Sequence, residues 1–415
     1  MGRNAIFLAM GFTIVCLLSG MNLSRVSVDA FKNAINYQES SNGHNIVQTG
    51  TNFGCNQLFL TPNWRAGYQN IPFGGGTFST VINTVANGSD SSRIQMITTA
   101  LYEGSTYQIK VLLQPSLFSK FAYFSDNEPS TINWTTGDTV WGPYHSNTSI
   151  YVDGNPVFNG KTTNFSGLVK ANGSDKPQFN GGYETGVKIT MPTDLNSLKG
   201  KSQQSGGGLY VNNTSGSTNG WDFYLNFNAN GTVTYRNGTS GGWTTVSLAT
   251  LSGTNKVIVV EGGNLHVKGI VNGQVTIAAL SSGGSKGQVW FDSSVAYNTN
   301  PINDPTSTDL LGIVATNNIL ITSNANNNNA TNGFTVQGAM FSMNGGFGAD
   351  SATTKKASGQ IHMLGGISQK VRQAVGVVGG THGYLKSYYY DNRMLVAAPP
   401  CFPTTGSYEV LEWLE

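Results

Sequence analysis

One short segment has the spacing of a nucleophilic serine. Residues Gly283–Gly287 read GGSKG and match the G-x-S-x-G pattern, in which a strained strand-to-helix turn presents a serine hydroxyl. No helix-period pattern follows Gly287, and the surrounding loop is rich in glycine and serine. The sequence therefore favours an ordinary turn at this position.

Carboxylates and histidines are scattered along the chain. Polysaccharide-cleaving enzymes use small acid clusters on one face, and the aspartates considered for this role are Asp292, Asp304, Asp309 and Asp350. Nothing in the sequence brings them together, and aspartate at a chain corner more often makes local hydrogen bonds.

The five histidines are His44, His145, His266, His362 and His382. They lack an H-E-x-x-H pair and cysteine partners at metal-ligand spacing. We predict no enzyme activity and no catalytic, cofactor-binding or metal site.

Several aromatic side chains could stack on sugar rings, because such rings combine a flat apolar face with a polar edge. The residues considered are Trp134, Trp141, Trp221, Trp243 and Tyr388–Tyr390. Core packing is the commoner role of such residues. Surface glycans therefore stay an alternative partner.

Composition limits the other partners. The chain has 415 residues, long enough for two or three domains. Charged residues make up 11% of it, well below the usual value of about 25%. The net charge is +2, and no basic patch with interleaved aromatics is present, so we expect no nucleic-acid partner.

The N-terminal segment must position the body. No charged residue lies between Arg3 and Arg25, and residues Ala5–Met21 are almost wholly apolar, close to the roughly 20 residues that span a bilayer as a helix. Arg3 favours an N-terminus in the cytoplasm and an exported body, although Arg25 weakens the bias. A cleaved secretory signal is the alternative, but no A-x-A-like site follows Leu18 convincingly. A retained membrane helix is the favoured interpretation.

Beyond the apolar run, apolar residues recur at three- and four-residue spacing, which indicates that the same helix continues as a stalk with one apolar stripe. Ile46, Phe53 and Phe59 extend that stripe, and Pro62 is the expected stop. The predicted assembly residues of this helix are Ile6, Phe7, Leu8, Phe12, Ile14, Val15, Leu17, Leu18, Val28, Phe31 and Ile35.

Three cysteines are present. Cys16 lies in the apolar run, which leaves Cys55 and Cys401 as a candidate disulfide in an oxidising compartment. Two unpaired thiols are the equal alternative, because the sequence gives no distance between them.

From Trp64 onward, short runs of alternating apolar residues end at glycine or asparagine, which indicates strands and turns. Phe78–Val85, Ile94–Tyr102 and Tyr107–Gln114 predict a small antiparallel sheet, with a tight turn at Glu103-Gly104-Ser105. Later runs with glycine or asparagine corners favour a parallel β-solenoid, or β-helix, whose turns stack on one another. An antiparallel sandwich is the alternative.

These patterns predict a mainly β protein with a long N-terminal α-helix, a β-solenoid-like body and a small β insertion marked by a hairpin at Asn230-Gly231. The predicted regions are 1–62 for the transmembrane and stalk helix, 63–135 for the small sheet, 136–206 with 252–380 for the body, 207–251 for the insertion and 381–415 for a C-terminal extension.

The opening stretch, RNAIFLAMGFTIVCLLSGMNLSRVSVDAF, resembles the N-terminal helix of type IV pilin-like and minor-pilin accessory proteins. A processed pilin has glutamate at the fifth mature position; if Gly2 precedes the cleavage point, Phe7 stands there instead. GDTVWGPYHSNTSIYVDGNPVFNGKTT and YYYDNRMLVAAPPCFP resemble stretches of a bacterial family known as domain of unknown function 4900. These resemblances imply an envelope location and a pilin-like architecture.

Together, these observations predict a non-enzymatic cell-envelope protein. Its N-terminal helix is expected to assemble with copies of itself or with pilin-like proteins, in a membrane complex or an extracellular filament. The alternative is a surface adhesin or glycan-binding protein, and a polysaccharide lyase or hydrolase ranks third.

Overall fold

The computed structural model describes residues 2–87, 91–214, 222–240, 242–282, 286–328, 331–354, 357–377 and 381–415. The chain forms two compact units. Unit 1 comprises Met1–Val85, Ser92–Gln114 and Ser407–Glu415, and unit 2 comprises Ala86–Ser91 and Pro115–Gly406. The chain thus leaves unit 1 after Gln114 and returns to it at Ser407.

The helix and strands of the first unit are α1 (Gly2–Leu60), β1 (Tyr68–Phe73), β2 (Gly76–Asn87), β3 (Ser91–Tyr102), β4 (Ser105–Leu117) and β29 (Thr404–Leu414). Short strands follow β4 in the chain: β5 (Tyr123–Asn127), β6 (Trp134–Thr135), β7 (Thr139–Val140), β8 (Tyr144–Ser146), β9 (Ile150–Asp153), β10 (Val157–Phe158), β11 (Thr162–Asn164), β12 (Leu168–Lys170), β13 (Gln178–Phe179) and β14 (Tyr183–Thr185). The next elements are α2 (Asn196–Gln203), β15 (Gly208–Asn212), β16 (Phe223–Phe227), β17 (Thr232–Asn237), β18 (Thr244–Ser247), α3 (Leu248–Ser252), β19 (Val257–Glu261), β20 (Leu265–Val271) and β21 (Gln274–Leu280). The remaining strands are β22 (Val289–Tyr297), β23 (Leu310–Ala315), β24 (Ile319–Ile321), β25 (Phe334–Ser342), β26 (Phe347–Ala349), β27 (Ala357–Val371) and β28 (Gly383–Tyr389). Two short 3-10 helices lie at Phe118–Lys120 and Asn392–Leu395.

Unit 1 is one long helix packed on an antiparallel sheet of order β1-β2-β3-β4-β29. The predicted turn joins β3 to β4, where Tyr102 pairs with Ser105 and Glu103 and Gly104 both have positive φ, as a two-residue hairpin turn requires. The helix ends at Leu60, because Pro62 disfavours helical geometry at the residue before it. The predicted helix and antiparallel pairing are confirmed.

The unit 1 core lies between the C-terminal half of α1 and one face of the sheet. Its buried apolar members are Ile46, Val47, Leu58, Phe78, Ile94, Met96, Ala100, Ile109, Val111 and Leu113. The predicted stripe is partly wrong, because Phe53 and Phe59 are 48% and 70% exposed. Glycines replace them on the buried face.

Unit 2 is built from strands that pair in parallel from one turn of the chain to the next. One ladder runs β15-β19-β21-β23-β25-β27-β5-β8-β11-β14. Equivalent positions along it form a single column of side chains: Leu209, Ile258, Ile277, Ile313, Met340, Ile367, Tyr123, Tyr144, Thr162 and Tyr183. The parallel pairing of this ladder excludes the antiparallel sandwich considered for the body.

The ladder does not follow chain order. The strands that come first in the chain, β5, β8, β11 and β14, form one half of the ladder. The strands from β15 to β27 form the other half, and β27 pairs with β5 where the two halves meet. At that junction Val371 pairs with Asn127. The residues that directly follow the two strands, Arg372 and Glu128, form a buried ion pair at 3.0 Å. This pair joins residues that are 244 positions apart in the chain.

Strand pairing groups the chain differently from the predicted regions. β5 belongs to the ladder rather than to the small sheet, and β15 and β16 of the predicted insertion pair in parallel with β19 and β20. The predicted hairpin is confirmed, since β16 pairs antiparallel with β17. β4 and β29 are neighbours in one sheet, although residues 118–403 lie between them in the chain.

Candidate functional site

The N-terminal half of α1 is exposed on every side. All residues from Gly2 to Gln38 are exposed, and the eleven predicted assembly residues range from 39% exposure at Ile35 to 79% at Leu8. α1 contains a segment that is long and apolar enough to cross a membrane, judged by length and composition. A helix that is apolar all round belongs in lipid or among other helices.

The C-terminal half of α1 is held by a stripe of small residues. Its buried face includes Gly43, Gly50 and Gly54. A Cβ at Gly50 would lie 2.5 Å from the ring of Phe78, and one at Gly43 would lie 2.1 Å from the ring of Tyr107. Glycine lowers helix propensity by about 1 kcal/mol, yet here it lets the helix backbone approach the sheet more closely than any other residue would allow. The sequence signal was the four- and seven-residue spacing of these glycines.

The cysteines have different environments. Cys16 is an exposed free thiol in the apolar half of α1. Cys55 is a half-buried free thiol, and burial raises its pKa. The Cys401 thiol donates to the backbone carbonyl of Asn255 at 3.7 Å, and a Cys55–Cys401 bridge stays a prediction.

Each of the four aspartates considered for catalysis has a local hydrogen-bonding role. Asp309 accepts from the backbone N–H groups of Gly273 at 2.7 Å and Thr299 at 2.9 Å. Asp304 accepts from Thr306, which lowers the Asp304 pKa, and Asp350 accepts from Ser351. Asp292 contacts His266.

His266, on β20, lies between two carboxylates from its neighbouring strands: β22 carries Asp292, and Asp222 directly precedes β16. Its Nδ1 is 2.9 Å from Asp292 Oδ1, and its Nε2 is 3.7 Å from Asp222 Oδ2. Burial opposes charge on the ring, but the hydrogen bonds and attraction of both carboxylates outweigh it and raise the pKa of His266 to about 9. Despite its burial, hydrogen bonds from His266 and Lys286 lower the pKa of Asp222 to about 2. Each ring nitrogen faces a carboxylate. The protonated His266 therefore links β20 electrostatically to Asp222 on one side and to Asp292 on the other.

The other histidines serve separately. His145 is buried, with Nδ1 2.7 Å from Thr163 Oγ1 and Nε2 2.9 Å from Asn147 Oδ1, and burial lowers its pKa. His44 contacts Glu415 at 3.0 Å. In the part of the chain that the structure describes, no group of three or more His, Cys, Asp or Glu residues could hold a metal ion.

The aromatic residues divide into core and surface. Trp134 is 1% exposed, with Arg372 4.1 Å and Lys386 5.3 Å from its ring centroid. Trp141 and Tyr389, each nearly half exposed, stack at 5.7 Å with 12° between their planes. The Trp243 ring lies 4.6 Å from the guanidinium of Arg236. Tyr388 is partly buried and Tyr390 is buried. Trp221 lies outside the described residues, as do Gly283–Ser285 of the GGSKG segment.

The Arg372–Glu128 pair was not predicted from the sequence. Both side chains are at most 3% exposed. Burial raises the pKa of Glu128, although Arg372 opposes the rise. Burial and the Arg372 charge together lower the pKa of Lys386, whose ammonium lies 3.0 Å from Asp138. This cluster lies where β27 pairs with β5, two strands that are far apart in the chain.

The geometry defines a protein with an exposed apolar helix, anchored through its other half to an antiparallel sheet, and with a mainly β body. No protein-family model matches the chain, so the resemblance to the domain of unknown function 4900 family is not confirmed. No curated protein matches it. One similar solved structure is the competence-associated pilin ComZ from Thermus thermophilus, at 12% identity and a TM-score of 0.36, covering 91% of this chain and 97% of that chain.

Proposed function

We propose that this chain is a non-enzymatic, pilin-like subunit of the cell envelope. Its N-terminal helix would anchor it in the membrane and bundle with copies of itself or with pilin-like proteins, in a membrane complex or an extracellular filament. Arg3, which precedes the apolar run, favours export of the body. Unit 2 would be a β-solenoid-like body exposed outside the cytoplasm.

The observation that carries the proposal is the contrast within α1. Residues 2–38 bury no side chain, whereas Gly43–Leu58 contribute one face to the core of unit 1. Burying a large apolar side chain stabilises by roughly 1.5–3 kcal/mol, so the exposed set strongly favours lipid or another helix over water. A helix fixed at one end to its own sheet can present the other end as an apolar rod.

Cys16 provides a direct test of side-by-side helices. In a Cys55→Ser, Cys401→Ser background, mild oxidation of membranes containing the full chain should give a disulfide-linked dimer. Ile14→Arg should abolish that dimer, because an arginine near the middle of a membrane helix costs about 2.5–3.5 kcal/mol. Phe59→Arg, on the same helix but outside the apolar run, is the matched control and should leave the dimer unchanged.

Removal of the exposed half gives the complementary measurement. Since Gly43 is the first buried residue of α1, deletion of residues 2–38 should release from the membrane a folded protein that is monomeric at high salt. A truncated protein that still assembles at high salt, or a Cys16 thiol that forms no dimer in the membrane-bound chain, would contradict assembly through the helix.

Glycan binding is the second candidate, and the stacked Trp141–Tyr389 pair favours it. Each ring has one face on the other, and both are nearly half exposed, as stacking on a sugar requires. Trp141→Ala should remove binding on a glycan array. Trp243→Ala, which removes another half-exposed tryptophan, should leave it unchanged.

A further inference from the structure

The two ends of the parallel ladder differ. At one end, α2 packs against β15 and β19 and buries Leu198 and Ser202. At the other end lies the terminal turn, which we define as strands β12 to β14 (Leu168–Thr185). β12 and β13 are the last strands of their three-stranded sheets. In the described register β14 pairs with β11, and all three of its residues are exposed. One end of the ladder is covered by a helix and the other is open.

Glycines show how closely successive turns of the chain stack. A Cβ at Gly160 would lie 2.2 Å from Gly142, and one at Gly181 would lie 2.3 Å from Gly160, because each turn sits directly on the one before it. The side-chain column ends at Tyr183, which is 38% exposed. Among the described residues, the terminal turn is therefore the last of its stack.

The terminal turn and its neighbours combine lysines with exposed apolar side chains. Glu184 is matched by Lys161 at 2.9 Å, and the buried carboxylate of Asp175 caps the backbone N–H of Asn172. The exposed lysines that add positive charge are Lys170, Lys176 and Lys188. The exposed large apolar side chains nearby are Phe165, Val169 and Tyr183.

An edge of opposite charge exists in unit 1. β29 is the last strand of its sheet, and its sequence TTGSYEVLEWL contains glutamates and no basic residue. Val410, Leu411 and Leu414 are 51%, 40% and 51% exposed, and Glu412 is exposed among them. Unpaired strand edges readily accept another strand.

We propose that the terminal turn of one copy binds the β29 edge of a second copy. Both surfaces are formed by end strands among the described residues, and both carry exposed apolar side chains. Their charges are complementary, which speeds association and fixes orientation. The two surfaces differ, so the contact is head-to-tail and can repeat from copy to copy. The inference rests on the proposed function, to which it adds a contact between copies outside the N-terminal helix.

The test isolates this contact from the helices by placing one full-length copy in each lipid nanodisc. Disc-to-disc association is then measured by sedimentation velocity at low and high salt. Wild-type discs should associate at low salt and separate at high salt. Glu412→Lys alone, or Lys170→Glu with Lys176→Glu, should weaken association at least about tenfold, a change of roughly 1.4 kcal/mol.

Mixing the two charge variants is the decisive measurement. In the mixture the native surface of each variant meets the native surface of the other, and the two reversed surfaces are also of opposite charge, so equal amounts should associate in alternation. The triple variant carrying all three changes should associate for the same reason. Failure of wild-type discs to associate, or a mixture no better than either variant alone, would overturn the proposal. Glu412→Lys discs that form larger aggregates than wild type would also overturn it, since the glutamates would then only guard an edge.

The two proposals fail in distinguishable ways. A Cys16 dimer in membranes without disc association removes only the contact between bodies. Salt-sensitive disc association without a Cys16 dimer removes only assembly through the helix.

Discussion

The two units bury their sheets by different means. In unit 1 a helix approaches a sheet closely through Gly43, Gly50 and Gly54, so the fit depends on shape. In unit 2 strands stack on strands, and the buried Arg372–Glu128 pair joins segments that are far apart in the chain. The stability of unit 1 should therefore be most sensitive to added side-chain volume. The stability of unit 2 should be most sensitive to the loss of a partner by a buried polar group.

The largest expected effect is on the buried ion pair. Arg372→Met should lower the free energy of unfolding of unit 2 by about 3–5 kcal/mol, because Glu128 would remain buried without its partner. Denaturant unfolding of the full chain measures it. The double variant Glu128→Gln, Arg372→Met should recover part of the loss. If Arg372→Met costs no more than the exposed Lys161→Ala, whose ion pair is expected to contribute under about 1 kcal/mol, unit 2 does not depend on buried pairing.

The next effect is pH dependence through His266. Its pKa is raised from 6.5 to about 9 by Asp222 and Asp292, with Lys286 on Asp222 and the rings of Tyr224 and Trp290 stacked beside it. Because the pKa of His266 is higher in the folded state than in the unfolded state, protonation of His266 stabilises the folded state, and this contribution is complete below pH 6.5. The contribution should be lost as the pH rises through 9. The difference corresponds to roughly 3 kcal/mol.

Unfolding of wild type and of His266→Gln between pH 6 and pH 10 measures this dependence. The gap between their free energies of unfolding should shrink as pH rises. A gap that stays constant across this range would show that the charge on His266 does not tie the turns together.

The smallest effect concerns the glycine stripe. Gly50→Ala should destabilise unit 1 by about 1–3 kcal/mol through overpacking against Phe78, partly offset by the better helix propensity of alanine. Thermal unfolding followed by the near-ultraviolet signal measures it. Gly20→Ala is the matched control, because a Cβ at Gly20 would meet nothing within 4 Å. Equal melting temperatures for the two variants would show that close approach is not needed at Gly50.

The sequence predicted what local patterns determine. The apolar run and Pro62 bounded α1, and Glu103-Gly104 and Asn230-Gly231 located two hairpins, because each depends on residues next to one another in the chain. The buried face of α1 was missed because glycine reads as a weak helix former, and its value at Gly43 and Gly50 depends on rings some 30 to 60 residues away.

Long-range pairing could not be predicted in the same way. The partner of β4 is β29, and the partner of β27 is β5, although no periodicity in either strand indicates which distant strand it meets. The role of His266 was missed for a similar reason, since Asp222 and Asp292 come from different turns. Of the candidate site, the sequence predicted the exposed apolar residues of α1 but not the strand edges.

The return of the chain beside its own exit has a consequence for the design of the molecule. Gln114 donates to Glu409 across neighbouring strands, and Thr405 donates to the backbone of Ser116, so the two ends of the enclosed segment are adjacent. A short loop from Gln114 to Ser407 could replace nearly three hundred residues without displacing either strand. Unit 2 is therefore an insertion in unit 1. Its number of strands can change without any change in the order in which α1 and the strands of unit 1 are connected.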